Sequence, residues 1–111
     1  MGKVNEGLIN EVSTMYDMKE VMKFLDVEGK IKMYPSKRKK QINVLGYLIE
    51  KIQDGREYTE QEINEVIGEY HTFNDVCYLR RELVDIGYLK RTKNCSKYWR
   101  RQEENIGQEE N

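Results

Sequence analysis

Apolar residues recur at three- and four-residue spacing in four separate segments of the chain, and this spacing predicts four amphipathic helices. Two short segments near the C-terminal end mix aromatic, apolar and basic residues, which is typical of short β-strands. The predicted helices cover residues 5–25, 37–53, 60–70 and 72–86, and the predicted strands cover residues 88–92 and 97–101. We therefore expect a mainly α-helical α+β protein with one small β-hairpin.

The sharpest local signal is the start of the third predicted helix. Thr59 at the N-cap and Glu62 three residues later form the pattern of a capping box. Tyr58 and Ile63 flank this box as a hydrophobic staple. The helix is therefore expected to begin at Glu60.

The fourth predicted helix carries Val76, Leu79, Leu83 and Ile86 on one face, and Gly87 follows it directly. Glycine is favoured just beyond a helix C-terminus, because the chain there takes a left-handed conformation. A polar loop, Lys93–Ser96, then joins the two predicted strands. Leu89 and one of Tyr98 or Trp99 are expected to reach the core.

Two helices joined by a short polar turn match the connectivity of a helix-turn-helix, and the hairpin adds a wing. The turn is expected at His71–Asn74, with Thr72 as a second N-cap. We thus predict a winged helix-turn-helix preceded by an extra N-terminal helix. The expected organisation is an amphipathic helix in residues 1–28, a winged-helix-like domain in residues 29–101 and a disordered acidic tail in residues 102–111.

Length and composition favour one cytoplasmic domain. A chain of 111 residues has little room for a second domain. It has no apolar run of membrane-spanning length and no apolar signal core at its N-terminus. Cys77 and Cys95 are isolated from each other in sequence, which suits free thiols in a reducing compartment.

The formal net charge is −1, but charge is sorted along the chain. Residues 30–51 hold seven bases and one acid, and residues 88–101 hold six bases and no acid. Residues 52–87, between these two basic blocks, hold nine acids and three bases. The two basic blocks form one positive surface only if the fold brings them together.

Lys37, Arg38, Lys39 and Lys40 fall at the start of the second predicted helix, after Ser36 as its N-cap. The helix dipole makes a helix N-terminus positive, so four bases there are unfavourably placed. An anionic partner would offset this penalty. The alternative is a simple solvated cluster.

Catalysis and metal binding are not expected. His71 is the only histidine, and its spacing from Cys77 does not place the two on one helical face for a nucleophilic pair. One histidine and two isolated cysteines do not form a zinc site, and no glycine-rich phosphate loop is present. No cofactor is expected either.

Five segments together resemble one bacterial family, the domain of unknown function 2087 (DUF2087). They are the run from Gly29 to Lys40, Tyr58–Asn64, Leu79–Asp85, Gly87–Arg91 and the pair Tyr98–Trp99. The resemblance implies a winged-helix-like fold and a context in transcription, because such domains often accompany DNA-binding regulators. It assigns no functional residues. Residues 1–28 are too short to be a separate DNA-binding domain, so this copy binds DNA itself or works through a partner.

The first functional hypothesis is a module that binds duplex DNA through helix 72–86 and the hairpin. Asn74, Tyr78 and Arg81 would approach the bases, and the basic residues would contact phosphates. Three such contacts give an affinity that falls with salt with a slope of roughly −3. Asp75, Glu82 and Asp85 oppose this reading, because carboxylates repel phosphates. The expected phosphate contacts are Lys37, Arg38, Lys39, Lys40, Lys90, Arg91, Lys93, Lys97 and Arg100.

The second hypothesis is a protein-interaction or regulatory domain of the same fold. Its interface would be the methionine-rich face of the N-terminal helix, the acidic helix faces, or both. Methionine side chains pack adaptably, which suits such an interface. Met15, Met18 and Met22 would then support a homodimer. The plainer alternative is that this helix lies on the body of its own domain.

Overall fold

The computed structural model describes residues 16–102. It contains four helices and three short strands within that range. The α+β class predicted from the sequence is confirmed. The elements are α1 (Met18–Met22), α2 (Arg38–Ile49), β1 (Glu57–Tyr58), α3 (Glu60–Glu69), α4 (Val76–Asp85), β2 (Leu89–Arg91) and β3 (Tyr98–Arg100).

Helix α1 is much shorter than predicted. The Asp17 side chain caps it by accepting the backbone N–H of Lys19 at 3.1 Å, so no helix continues through residues 16 and 17. The helix ends at Met22, before the predicted end at residue 25. In the turn that follows, the Asp26 carboxylate accepts the backbone N–H groups of Glu28 and Lys30, and Gly29 takes a left-handed φ of 85°. The predicted continuous helix over 5–25 is therefore wrong at these points. Its residues 5–15 lie outside the described range.

Helix α2 has Lys37, not Ser36, at its N-cap, and no side chain caps it. The Ser36 cap predicted from the sequence is wrong because the helix starts one residue later than that cap requires. The side chain of Gln41 instead donates to the carbonyl of Pro35 at 2.8 Å, which fixes the approach to the helix. The helix buries Val44, Leu45, Leu48 and Ile49, while Ile42 lies on its exposed side.

Helix α3 begins at Glu60, as predicted. The Thr59 hydroxyl accepts from the Glu62 backbone N–H at 3.1 Å, and the Glu62 carboxylate accepts from the Thr59 N–H at 2.9 Å. This reciprocal pair is the predicted capping box. Tyr58 and Ile63, the residues of the predicted staple, are both buried.

The turn between α3 and α4 is held by the imidazole of His71, which is buried. Its Nδ1 lies 2.8 Å from the carbonyl oxygen of Ile67, and its Nε2 accepts the backbone N–H of Asp75 at 2.8 Å. A carbonyl only accepts, so Nδ1 carries the hydrogen. Helix α4 then starts at Val76, with Asn74 left-handed at φ 56°. The predicted start at residue 72 and the Thr72 cap are wrong.

Gly87 ends α4 as predicted, with a φ of 88°. Its N–H donates to the Val84 carbonyl at 3.0 Å, and the N–H of Tyr88 donates to the Leu83 carbonyl at 3.0 Å. These two bonds form a Schellman motif. The chain leaves this motif directly into β2.

The sheet is antiparallel with the strand order β1-β3-β2. Strand β3 pairs Trp99 with Lys90 of β2 on one side and with Glu57 of β1 on the other. The hairpin was predicted, but β1 was not. Leu89 reaches the core as expected, and of Tyr98 and Trp99 it is Tyr98 that does so. Both join the buried faces of α2, α3 and α4 there.

Candidate nucleic-acid interface

Helix α4 presents a polar face to solvent, opposite its buried Leu79 and Leu83. Tyr78, Arg81 and Asp85 lie on this face, which we call the α4 face, and all three are exposed. Their spacing of three and four residues places them along one side of the helix. Asn74 is also exposed, but it lies in the turn before α4 and not on the helix.

A cluster of polar side chains joins one flank of α4 to the start of α2. The Glu82 carboxylate accepts from the Arg38 guanidinium at 2.6 Å and from the Tyr34 hydroxyl at 2.8 Å, both at Oε1. The Tyr34 ring also meets the Tyr78 ring edge to face, with centroids 5.5 Å apart. We call Tyr34, Arg38 and Glu82 the Glu82 cluster.

The Glu82 cluster keeps its carboxylate charged. Only 14% of the Glu82 side chain is exposed. Burial by itself raises the pKa of this carboxyl, but the hydrogen bonds from Arg38 and Tyr34 outweigh it and hold the pKa below its usual range. Burial and the bond to Glu82 raise the pKa of the Tyr34 hydroxyl, so Tyr34 stays a donor.

The hairpin lies along the opposite flank of α4. Arg81, Val84 and Asp85 line a shallow pocket of about 160 Å³ together with Arg91 and Cys95 of the hairpin. Arg91 donates from Nη1 to the carbonyls of Thr92 and Lys93 at 3.1 and 3.4 Å and lies 3.4 Å from the Cys95 sulfur. It thus braces the hairpin loop beside the helix.

The two basic blocks therefore border the same helix from two sides. At 100° per residue, Tyr78 and Glu82 fall on one flank of α4, while Arg80 and Val84 fall on the other. The first flank meets Arg38 of the first basic block, and the second meets the hairpin. The fold thus places parts of two basic segments, which lie about fifty residues apart in the sequence, on either side of one helix.

The four bases at the start of α2 do not all face α4. Arg38 turns towards Glu82, whereas Lys39 and Lys40 line an open cleft with Asp17, Glu20 and Lys23 beside α1. No acid lies in the first turn of α2. Lys37 and Lys40 also line a pocket next to Tyr34, so part of this block stays near the Glu82 cluster.

The five hairpin bases that were predicted to contact phosphates differ in whether their side chains have partners within the protein. The side chains of Lys90 and Lys93 are exposed and have no hydrogen bond or ion pair within residues 16–102. Lys97 lies 3.3 Å from the Glu57 carboxylate. Arg100 is partly buried and donates to the Ile52 carbonyl at 3.4 Å. Lys90 and Lys93 are thus the bases most available to a partner, and Arg91 braces the loop.

Arg80 has a structural role. Its guanidinium lies 3.8 Å from the Glu60 carboxylate and bonds to the side chain of Asn64, both on α3. It also lies over the Tyr98 ring. This arginine joins α3, α4 and the sheet.

Sequence reasoning missed the Glu82 cluster, because its members are far apart in the chain. Glu82 was assigned only as a charge that repels phosphate. The i, i+4 spacing of Tyr78 and Glu82 placed both on one side of α4, but nothing local pointed to Tyr34 or Arg38 as their neighbours.

Within the described part of the chain, no group of three histidine, cysteine or acidic side chains could hold a metal ion. Both cysteines are free thiols, with Cys77 exposed on α4. No described helix is long and apolar enough to cross a bilayer.

Comparison with known proteins identifies a family and nothing closer. Neither the curated proteins nor the solved structures contain a match to this chain. One protein-family model matches residues 30–100, and its description is "Uncharacterized protein conserved in bacteria (DUF2087)". The match begins just before the segment that supplies Tyr34 and Arg38, and it ends on the last residue of β3. Since it covers well over half of the chain, this protein belongs to the bacterial DUF2087 family.

Proposed function

We propose that this domain is a winged helix-turn-helix that binds duplex DNA and serves as a module of a transcriptional regulator. The α4 face would enter the major groove, with Asn74, Tyr78 and Arg81 nearest the base edges. The basic residues on both flanks of α4 would contact the phosphate backbone. The observation that carries the proposal is the position of α4 between the two basic blocks.

The order of the elements supports the winged-helix interpretation. Helices α3 and α4 are joined by a turn of six residues, and β2 and β3 form the hairpin that follows α4 directly. Strand β1, between α2 and α3, adds to the free side of β3. Such a scaffold leaves one helix with an open polar face while the other helices form the core.

The charge distribution favours an anionic partner at this surface. Lys90 and Lys93 are exposed and free of acidic partners in the described range. Phosphate contacts by such bases supply most of the sequence-independent affinity for DNA and help to fix a protein's register on the duplex.

The acidic residues of α4 oppose DNA binding less than the sequence indicates. Glu82 is nearly buried, and its charge is compensated by Arg38. Asp75 and Asp85 remain exposed. The count of uncompensated acids near the α4 face therefore falls from three to two, while the free lysines of the hairpin remain.

The first experiment measures the fluorescence anisotropy of a labelled duplex of mixed sequence, titrated with the protein over a range of salt. We expect binding at low salt that weakens with a slope of about −3 in log–log form. The double variant Lys90→Gln and Lys93→Gln should bind more weakly, with a slope shallower by roughly 2.

A matched control removes the same charge elsewhere. Lys19→Gln and Lys32→Gln change two exposed lysines near α1, away from the α4 face. This pair should retain most of the affinity and the salt slope of the parent. Equal losses from both double variants would show that binding depends on overall charge and not on the hairpin.

A second candidate function, self-association, rests on the exposed methionines of α1. Met18 is 42% exposed and Met22 is 60% exposed, and both line a pocket with Leu25 and the fully exposed Val27. Large apolar side chains that cluster on a surface often mark a site of protein association. We call Met18, Met22 and Val27 the methionine surface. Met15, the third residue of the predicted dimer contact, lies outside the described range.

Sedimentation equilibrium distinguishes this second function. A dimer that becomes monomeric in the variant Met18→Gln and Met22→Gln, and that persists in high salt, would support self-association through the methionine surface. A monomer at high concentration in the parent would remove it. The two functions are separable, because the first depends on salt and on Lys90 and Lys93.

A further inference from the structure

The contacts of Arg38 leave half of its guanidinium group unused. Its bonds to Glu82 Oε1, at 2.6 Å, and to Gln41 Oε1, at 2.9 Å, both use Nη1. The Nε and Nη2 donors have no partner among the described residues, and 48% of the side chain is exposed. Arg38 is thus held at one nitrogen and open at the other edge.

The carboxylate that holds Arg38 is itself fixed. Tyr34 donates to the same Glu82 oxygen at 2.8 Å, and its ring packs against Tyr78 of the α4 face. Glu82 is mostly buried. The guanidinium is therefore anchored by a group that has little freedom to move.

An arginine held in this way suits one ligand chemistry. The planar guanidinium presents a fork of N–H donors that matches the oxygens of a phosphate. An arginine already fixed in position loses less conformational entropy when it binds than a free surface lysine does. The free edge of Arg38 lies at the flank of α4, where a DNA backbone would pass in the proposed complex.

We propose that Glu82 is a positioning residue, which holds Arg38 so that its free edge contacts a backbone phosphate beside α4. The inference rests on the proposed DNA binding and deepens it. It reverses the expected effect of one acidic residue. The Glu82 carboxylate strengthens phosphate binding, because it acts through Arg38.

The test compares two carboxylates of the same helix by DNA anisotropy. Asp85→Asn removes an exposed acid that has no ion pair within residues 16–102, and should tighten DNA binding by about twofold, since one repulsive charge is lost. Glu82→Gln removes the same charge but weakens the hold on Arg38, since bonds to a neutral acceptor are about half as strong. It should weaken binding by about threefold.

A third variant, Glu82→Met, removes the acceptor altogether at similar side-chain length. It should weaken binding further, on the order of tenfold, and lower the salt slope by about 1, as expected for one lost phosphate contact. Circular dichroism and thermal unfolding check that each variant is folded. If Glu82→Met fails to fold, the Gln variant carries the test.

A double-mutant cycle separates positioning from direct electrostatics. In an Arg38→Gln background, Glu82→Gln should no longer weaken binding, because the arginine it positions is absent. Equal weakening in both backgrounds would overturn the inference, and so would tighter binding by both Glu82 variants.

The outcome for the parent protein separates this inference from the proposed function. If the parent binds DNA and its Glu82 variants bind more tightly, only the positioning role of Glu82 is overturned. If the parent shows no DNA binding at low salt, the proposed function is overturned, and this inference is overturned with it.

Discussion

The two flanks of α4 carry basic blocks of equal net charge, +6 in each case, but the charges are used differently. On the α2 flank, Arg38 is joined to a buried carboxylate and a tyrosine hydroxyl. On the hairpin flank, the side chains of Lys90 and Lys93 have no partner in the described structure, and Arg91 braces the loop. Equal charge in sequence therefore does not mean equal availability to a ligand. One flank is fixed and directional, and the other is open.

The hairpin flank depends on Gly87, and its loss should have the largest effect. Gly87→Ala places a side chain on a residue with φ 88°, which is unfavourable for any L-residue by about 1–2 kcal/mol. We expect the melting temperature to fall by roughly 5–10 °C in a thermal unfolding experiment.

The matched control is Gly68→Ala in α3, where the new Cβ would lie 3.7 Å from Val76 in ordinary contact. It should raise stability by about 0.5–1 kcal/mol, because alanine favours a helix over glycine. Similar effects of both substitutions would mean that the end of α4 does not need a left-handed residue.

The α2 flank should respond to the loss of one hydroxyl group. Tyr34→Phe removes the hydrogen bond to the mostly buried Glu82 and should lower the free energy of unfolding by about 1 kcal/mol. Tyr78→Phe keeps the ring contact and removes a hydroxyl with no described hydrogen bond, so its effect should stay within about 0.5 kcal/mol. Urea denaturation measures both. Equal effects would argue against a stabilising role for the cluster.

The α2 flank should also respond to acid. The folded state holds the pKa of Glu82 below its usual value, so the unfolded state binds the proton more readily. The stabilisation is present above the ordinary pKa of glutamate, about 4.3, and is lost as the pH falls through the lower pKa of the folded protein. We expect Glu82→Gln to lose less stability than the parent between pH 6 and pH 3. Equal losses of stability in both proteins would show that the lowered pKa of Glu82 makes no such contribution.

The smallest effect should come from the open lysines. Lys90→Gln with Lys93→Gln should change the free energy of unfolding by less than about 0.5 kcal/mol, since neither side chain has a described partner. A loss above about 1 kcal/mol would show that these lysines support the fold, and the contrast between the two flanks would then fail.

Features encoded within a few residues were predicted well from the sequence. The capping box at Thr59 and the glycine stop at Gly87 each depend on neighbours in the chain, and both are present. The hairpin and its buried Leu89 follow from the aromatic, apolar and basic residues of two short segments, and of Tyr98 and Trp99 it is Tyr98 that is buried. Such predictions hold because the hydrogen bonds that each pattern implies join neighbouring residues, and these bonds form in the fold.

Features that depend on distant partners were missed. Strand β1 has two residues, and only its pairing with β3 makes it a strand. Glu82 meets Arg38 across 44 positions of the sequence. The start of α4 was misplaced because Thr72 offered a local cap, whereas the buried imidazole of His71 fixes the backbone at Asp75. The first two cases are contacts between distant parts of the chain, which no local pattern shows. The third is a bond between residues four apart, which the Thr72 cap pattern concealed.

The ring of His71 has a further consequence for how the chain tolerates change in length. Surface turns commonly accept inserted residues at little cost. This turn differs, since a single ring reaches back to the Ile67 carbonyl and forward to the Asp75 N–H. One residue inserted between His71 and either Ile67 or Asp75 would break a hydrogen bond of the ring. The Ile67 carbonyl or the Asp75 N–H would then be left without this partner. The imidazole thus fixes the number of residues between α3 and α4. Homologous chains that keep this histidine should keep the turn length as well.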